Sequence, residues 1–343
     1  MPSSASRIIL CPGQGAQFVG MGRAWHDRSP EARAIFERAE RLLGDRLGAP
    51  LSQLCFNGDN STGIQRLNNT DISQPAIYVT SVACWAGLLA QWKSGANGAV
   101  AEAGVLAAAG LSLGEYTALH LAGTFTFEEG LELVALRGRA MQDAADAVKL
   151  ADGSPESGMV ALIGADAAQA AQVCEEARGT DVLVPANFNA PGQIVISGHM
   201  AACKRAVEVA SRLGLRAAEL PVAGAFHSPI MRPAADRLKA ALTRTPIQAP
   251  HCPVMSNVTG KPYPSGEAGD ADTVADTIRG GLVAQLTSPV LWEQGCRHLT
   301  GHTKTGAPAD PEFHELAPGK TLAGLMRRID KATKVETHDE PNE

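Results

Sequence analysis

Short apolar runs of strand length alternate with longer stretches in which apolar residues recur at helical spacing, a pattern that predicts an α/β fold. "RIILC" at 7–11 runs into "PGQGAQ" and reads as a short buried strand ending in a turn. "SPEARAIFERAERLLG" reads as a helix with Ser29 as N-cap and Pro30 at its first position. "DISQPAIYVTSVACWAGLLAQW" is a long apolar helix with Gln74 and Pro75 at its start. The small apolar residues before Ser112 predict a strand, and those after it a helix. "TFEEGLELVALRGRAMQDAADA" is a further helix, opened by Thr126 with Glu129 three residues on, a capping-box spacing.

Between Ser157 and Val222 the rhythm changes. "GMVALIG" is strand-like, "DAAQAAQVCEEARG" helical, and "VLVPANFNAPGQIVISG" reads as two strands around an Asn-Ala-Pro-Gly turn. "MAACKRAVEVASRLG" is helical and "LRAAELPV" a strand. The order βαββαβ is that of a ferredoxin-like unit, here inserted between two parts of a larger domain. Residues 1–145 and 223–330 are assigned to the larger part and 146–222 to the insert. Beyond the insert, "RPAADRLKAALTRT" and "TVADTIRGGLVAQLT" read as helices and "PVMSNV" as a strand, with "GEAGDAD" and "GHTKTGAPADP" as turn-rich loops. The tail 331–343 is polar and is expected to be disordered.

Composition narrows the function classes. A net charge of -6 and an aromatic content of 4% argue against nucleic acid or an anionic membrane as partner. The seven cysteines form no C-x-x-C pair and read as buried, reduced thiols of an intracellular protein. No apolar segment of signal-peptide or membrane-span length interrupts the pattern, so a soluble cytoplasmic protein is expected.

Three motifs fall short of their chemistry. "PGQGAQF" has Phe18 where a dinucleotide fingerprint needs its third glycine. "APGKT" ends like a phosphate-binding loop, but the glycine required five residues earlier falls on His314. His298 and His302 have i, i+4 spacing without the glutamate of a zinc motif, and Gly301 lies between them.

"GLSLG" at 110–114 is different, because G-x-S-x-G between a strand and a helix is the nucleophile-elbow pattern. A serine hydroxyl needs a base to be nucleophilic at neutral pH. Among nine histidines, His227 in "LPVAGAFHSPIM" follows a strand among small residues and has no helical periodicity to bury it. It is either that base or a cap on the following helix. Arg137 has Leu133, Val134, Ala140 and Met141 at its i±3 and i±4 positions, all apolar, whereas Arg139 can pair with Asp143 on the surface. An arginine on an apolar stripe either snorkels outward or meets a carboxylate in a buried site. A nucleophile together with a buried guanidinium suggests an acyl substrate carrying its own carboxylate.

"PGQGAQ", "SQPAI", "GLSLGEYTAL", "LRGRAMQ", "NFNAPGQIVISG", "GAFHSPIM", "SNVTG", "QLTSPVLW" and "ELAPGKTLAGLMRRI" occur in one order along nearly the whole chain. In these stretches the sequence resembles the malonyl-CoA:acyl-carrier-protein transacylases, and more distantly the acyltransferase domains of polyketide synthases. The resemblance implies an α/β-hydrolase-like core with a ferredoxin-like subdomain and the active site between them. It implies Ser112 as the acylated nucleophile and His227 as its base, with the backbone carbonyl of Gln285 orienting the imidazole. It implies backbone N–H groups of Gln14 and Leu113 as the oxyanion hole and Arg137 as the residue gripping the malonyl carboxylate. Met141 and Asn189 match positions lining the acyl pocket, and Phe226 matches a bulky residue that narrows it against a methyl branch. The family usually reads G-H-S-x-G, and Leu111 here removes a hydrogen-bond donor beside the carboxylate.

The activity so implied is ping-pong transfer of malonyl from malonyl-CoA through Ser112 to the phosphopantetheine thiol of acyl carrier protein, by a monomer with no cofactor or metal. A serine thioesterase or esterase on the same elbow is the first alternative. Chain order weighs against it, since more than a hundred residues follow His227. A non-catalytic binder of acyl carrier protein is the second.

Overall fold

The computed structural model describes residues 6–57, 63–95, 104–148, 156–264, 270–303 and 311–341. The first strand, β1 (Arg7–Cys11), is buried at all five positions. It leads into helices α1 (Arg23–Arg28), α2 (Pro30–Leu43), α3 (Leu51–Phe56), α4 (Gly63–Asn68) and α5 (Thr70–Gly95). Ser29 caps α2 as its sequence predicts, its side chain accepting from the Ala32 N–H. Helix α5 is long and apolar enough over Thr70–Lys93 to cross a membrane, yet 83% of its most apolar window is buried inside the fold. A helix apolar on every side is a core helix when other elements enclose it.

Strand β2 (Val105–Gly110) and helix α6 (Gly114–Leu121) flank Ser112, and α7 (Phe127–Asp146) opens with the Thr126–Glu129 capping box. The insert follows as β3 (Ser157–Ile163), α8 (Ala167–Arg178), β4 (Leu183–Ala190), β5 (Gln193–His199), α9 (Met200–Arg212) and β6 (Arg216–Glu219). Its four strands pair antiparallel in the order β4-β5-β3-β6, and α8 and α9 bury their apolar stripes on the sheet. That is the ferredoxin-like order expected from βαββαβ. The chain then returns to the larger part through α10 (Arg232–Leu242), α11 (Ala271–Gln285), α12 (Trp292–Thr303), β7 (Glu312–Leu316), α13 (Thr321–Ile329) and β8 (Val335–His338).

The larger sheet is parallel, ordered β2-β1-β7-β8. Its inner strand β1 carries Ile8, Ile9 and Leu10, which alternate between two apolar clusters on the two faces. This is the burial on both sides that parallel sheets require. Val290 joins the two parts: its N–H donates to the Ala186 carbonyl, and its own carbonyl accepts from Phe188. All seven cysteines are buried and unpaired.

Three expectations need correction or completion. The tail expected to be disordered instead supplies β8, the edge strand of the parallel sheet, with His338 1% exposed. Its polar residues concealed it, because the buried face of "VETH" is made by a histidine rather than an aliphatic residue. The His338 carbonyl is further held by Trp25 Nε1 at 2.8 Å. "PVMSNV" forms no strand; it makes single bridges from Val254 to Ala108 and from Met255 to Pro262. The sequence reading assigned no element to β7, α12 or α13. "GEAGDAD", "GHTKTGAPADP" and the His302 side chain lie largely or wholly outside the described residues.

Candidate active site

Ser112 sits in the turn between β2 and α6 with φ 53°, a left-handed conformation that an L-residue adopts only when its surroundings hold it there. His227 has φ 57°, and these two are the only non-glycine residues with positive φ among the described residues. The glycines of the elbow are steric necessities. A Cβ on Gly114 would lie 2.0 Å from the Cys11 carbonyl oxygen, and one on Gly110 would lie 1.8 Å from the Gly114 backbone. Asn257 fixes the turn from outside: its Oδ1 accepts from the Ser112 N–H at 2.6 Å and its Nδ2 donates to the Gly110 carbonyl at 2.7 Å.

Ser112 Oγ lies 2.9 Å from His227 Nε2, and His227 Nδ1 lies 2.7 Å from the Gln285 backbone carbonyl. A carbonyl can only accept, so Nδ1 carries the proton and Nε2 presents its lone pair to the serine. Burial and the nearby Arg137 cation push the His227 pKa down to about 4, so the imidazole is neutral at pH 7. This geometry lets His227 Nε2 accept a proton from Ser112, and His227 does not cap the following helix. Ser228 takes the capping position, accepting from the Ile230 N–H.

Arg137 neither snorkels nor meets a carboxylate. It is 1% exposed, and its Nη1 donates to Gln74 Oε1 at 2.8 Å. Its Nη2 donates to Gln285 Oε1 at 2.8 Å and to Ser112 Oγ at 3.1 Å. Every one of these acceptors is neutral, and Nε has no partner among the described residues. The Tyr116 ring centroid lies 5.4 Å from Cζ. A buried cation with no carboxylate bonded to it is costly, and burial lowers the guanidinium pKa against the opposing pull of Tyr116 and Glu115 nearby. Arg139 pairs with Asp143 at 2.9 Å on the surface, as its spacing predicts.

Gln285 thus acts three times: its carbonyl accepts from His227, its Oε1 accepts from Arg137, and its Nε2 donates to the Ser112 carbonyl at 2.9 Å and to Glu115 at 2.6 Å. Glu115 is fully buried and also accepts from Tyr263 Oη at 2.6 Å and from the Asn257 N–H at 3.3 Å. Burial raises its pKa to about 7 against the pull of these donors and of Arg137. Asn257, Glu115, Tyr263 and Gln74 were missed as site residues by sequence reasoning. Glu115 was the findable one, since it is an acid three residues beyond Ser112 on a helix that is otherwise almost wholly buried.

Gln14, Leu111, Ser112, Met141, Asn189, Phe226 and His227 line one cleft of about 410 Å³ between the two parts of the fold. The backbone N–H groups of Gln14 and Leu113 have no acceptor among the described residues. Asn189 Oδ1 is likewise buried and unpartnered. Met141 Sδ accepts from Gln74 Nε2 at 3.3 Å, which links the cleft wall to the arginine's partner.

Residues 8–317 match the family model of the acyl transferase domain. The chain is 36% identical over 338 residues to the malonyl CoA-acyl carrier protein transacylase of Salmonella typhimurium, covering 97% of this chain and 96% of that protein. It belongs to the malonyl-CoA:acyl-carrier-protein transacylase family. The transacylase fold is matched by the crystal structure of the Xanthomonas oryzae member, with a TM-score of 0.82 at 36% identity over 99% and 96% of the two chains. A malonyl-transacylase in complex with a type II polyketide-synthase acyl-carrier protein matches it equally well, with a TM-score of 0.82 at 32% identity over 98% and 97%.

Proposed function

We propose that this transacylase moves a malonyl group from malonyl-CoA to the phosphopantetheine thiol of an acyl carrier protein, by way of a malonyl ester on Ser112. The observation that carries the reading is Arg137. A guanidinium buried beside the nucleophile and met only by neutral oxygens is a receptor for a carboxylate.

In the first half-reaction Ser112 Oγ attacks the thioester carbonyl while His227 Nε2 takes its proton. The oxyanion forms opposite the free N–H groups of Gln14 and Leu113, whose alignment is typically worth a few kcal/mol in such sites. Collapse expels the CoA sulfur, which takes the proton from His227. In the second half-reaction His227 removes the proton of the incoming pantetheine thiol, that sulfur attacks the malonyl ester, and the departing Ser112 oxygen recovers the proton. Met141, Asn189 and Phe226 shape the acyl end of the cleft. The reading calls for no cofactor, and we take the enzyme to act in the cytoplasm as a monomer.

Intact-mass analysis after mixing with malonyl-CoA tests it. The wild type gains one malonyl group and loses it to holo-acyl carrier protein, and Ser112→Ala gains none because no other group can hold the ester. An adduct on Ser112→Ala, or loss of the group to water as fast as to the carrier protein, overturns the reading.

A further inference from the structure

The last two strands of the parallel sheet, inner strand β7 and edge strand β8, each carry the pattern Glu-x-His, as Glu312-Phe-His314 and Glu336-Thr-His338. Strand periodicity of two puts each glutamate on the same face as its histidine. The parallel register sets His314 opposite Glu336 and Leu316 opposite His338, so all four side chains fall on one face. There His314 Nδ1 and His338 Nε2 confront each other at 3.0 Å. Glu336 reaches both, with Oε2 at 3.6 Å from His314 Nδ1 and Oε1 at 4.0 Å from His338 Nε2. This edge lies across the sheet from β2 and the nucleophile.

From this juxtaposition we infer that His314, His338 and Glu336 form a binding site for a late first-row divalent cation of the zinc type, which pins the C-terminal strand to the sheet. Two nitrogens 3.0 Å apart subtend a right angle at an ion held about 2.1 Å from each, the usual zinc–imidazole distance. All three ligand atoms lie within 4.8 Å of one another, so the ion needs only small side-chain shifts. The imidazoles are 3% and 1% exposed, whereas Glu336 is more than half exposed and leaves an open side for a water ligand. Two nitrogens and one carboxylate with an open position is a common donor set for such ions.

Surroundings favour the ion. His314 Nε2, the nitrogen facing away, lies 3.5 Å from Glu312, a short side-chain shift from the carboxylate–imidazole–metal arrangement that fixes a ligand's tautomer. Glu312 and Glu336 together outweigh the single positive charge of Arg7, whose Nε is 3.8 Å from Glu312. Without an ion, two buried imidazoles share one contact, and neither His314 Nε2 nor His338 Nδ1 makes a hydrogen bond among the described residues.

Trp92 supplies the reporter, with ring centroids 5.4 Å from His314 and 6.5 Å from His338. Tag-free, full-length enzyme stripped with a chelator should take up one Zn²⁺ per chain by calorimetry. Ni²⁺ should quench the fluorescence of Trp92 with the same stoichiometry, and Zn²⁺ should raise the melting temperature. His314→Ala and His338→Ala should lose binding. Glu336→Gln, whose exposed side chain the fold does not depend on, should bind at least about tenfold more weakly while retaining transferase activity, and Glu312→Gln should weaken binding by roughly 10–100-fold. Absence of saturable one-to-one uptake by the wild type overturns the site. So does unchanged affinity in Glu336→Gln, a result that stands even if the histidine variants fail to fold.

Discussion

Removing the Arg137 guanidinium tests substrate choice rather than reactivity. In the free enzyme this cation is 1% exposed and donates to Gln74 Oε1, Gln285 Oε1 and Ser112 Oγ, none of them charged. A malonyl carboxylate would be the first to bond it directly, since buried Glu115 acts on it only from a distance, through Gln285. Loss of one member of a buried, hydrogen-bonded charge pair costs about 2–5 kcal/mol. At about 1.4 kcal/mol per factor of ten, Arg137→Ala should lower kcat/KM for malonyl-CoA by roughly 30- to 5,000-fold. Acetyl-CoA brings no carboxylate, so its loss should reflect only neutral hydrogen bonds of about 1 kcal/mol, roughly fivefold.

The same substitution has a second readout. Arg137 is the charge that, with burial, depresses the His227 pKa, so its removal should move the acid limb of the acylation rate upward from about 4. Arg137→Lys should restore malonyl transfer only in part, because an ammonium cannot make the bidentate pair. The assay is acylation of Ser112 from malonyl-CoA and acetyl-CoA across pH, with thermal unfolding as the check that each variant folds. Equal losses on the two substrates and an unmoved limb would refute the carboxylate-receptor role.

Two further outcomes follow from the site's geometry. With a folded pKa near 4 against about 6.5 for a free imidazole, His227 stays neutral through mild acid, and kcat/KM should fall only as pH drops through about 4. The unfolded chain binds this proton first, so His227 should also lower stability as pH falls from about 6.5 to 4, and a limb at 6.5 in activity would count against the assignment. Asn257→Ala strands the Ser112 N–H and the Gly110 carbonyl, each at about 1–3 kcal/mol if left buried and unpaired. Melting should drop by several degrees and acylation should slow, and wild-type values for both would show that the elbow holds itself.

How much could be read in advance depended on whether a role belongs to a side chain. Ser112 announced itself because the elbow admits only glycine at Gly110 and Gly114. Arg137 stood out because its neighbours along α7 are apolar. Gln285 leaves no such mark: it orients His227 through a backbone carbonyl that any residue could offer, and only resemblance pointed to it. Asn257 lies 145 residues from the serine whose N–H it accepts, a pairing that no local pattern encodes. The βαββαβ insert was legible because turns, periodicity and order agree. Strand β8 was not, because its buried face is made of the residue types that normally mark a solvated tail.

The neutral partners of Arg137 also explain how the base can be both weak and effective. In the free enzyme the cation and burial together hold His227 near pKa 4, which keeps it unprotonated but makes it a poor proton acceptor. A carboxylate seated on Arg137 would cancel the coulombic part of that depression and leave the part due to burial. The base would then be stronger with a malonyl substrate in place than with a neutral acyl group. Gln74 and Gln285 make this possible. An aspartate or glutamate in their place would neutralise Arg137 permanently, raising the His227 pKa in the free enzyme and leaving the guanidinium no reason to prefer a charged substrate.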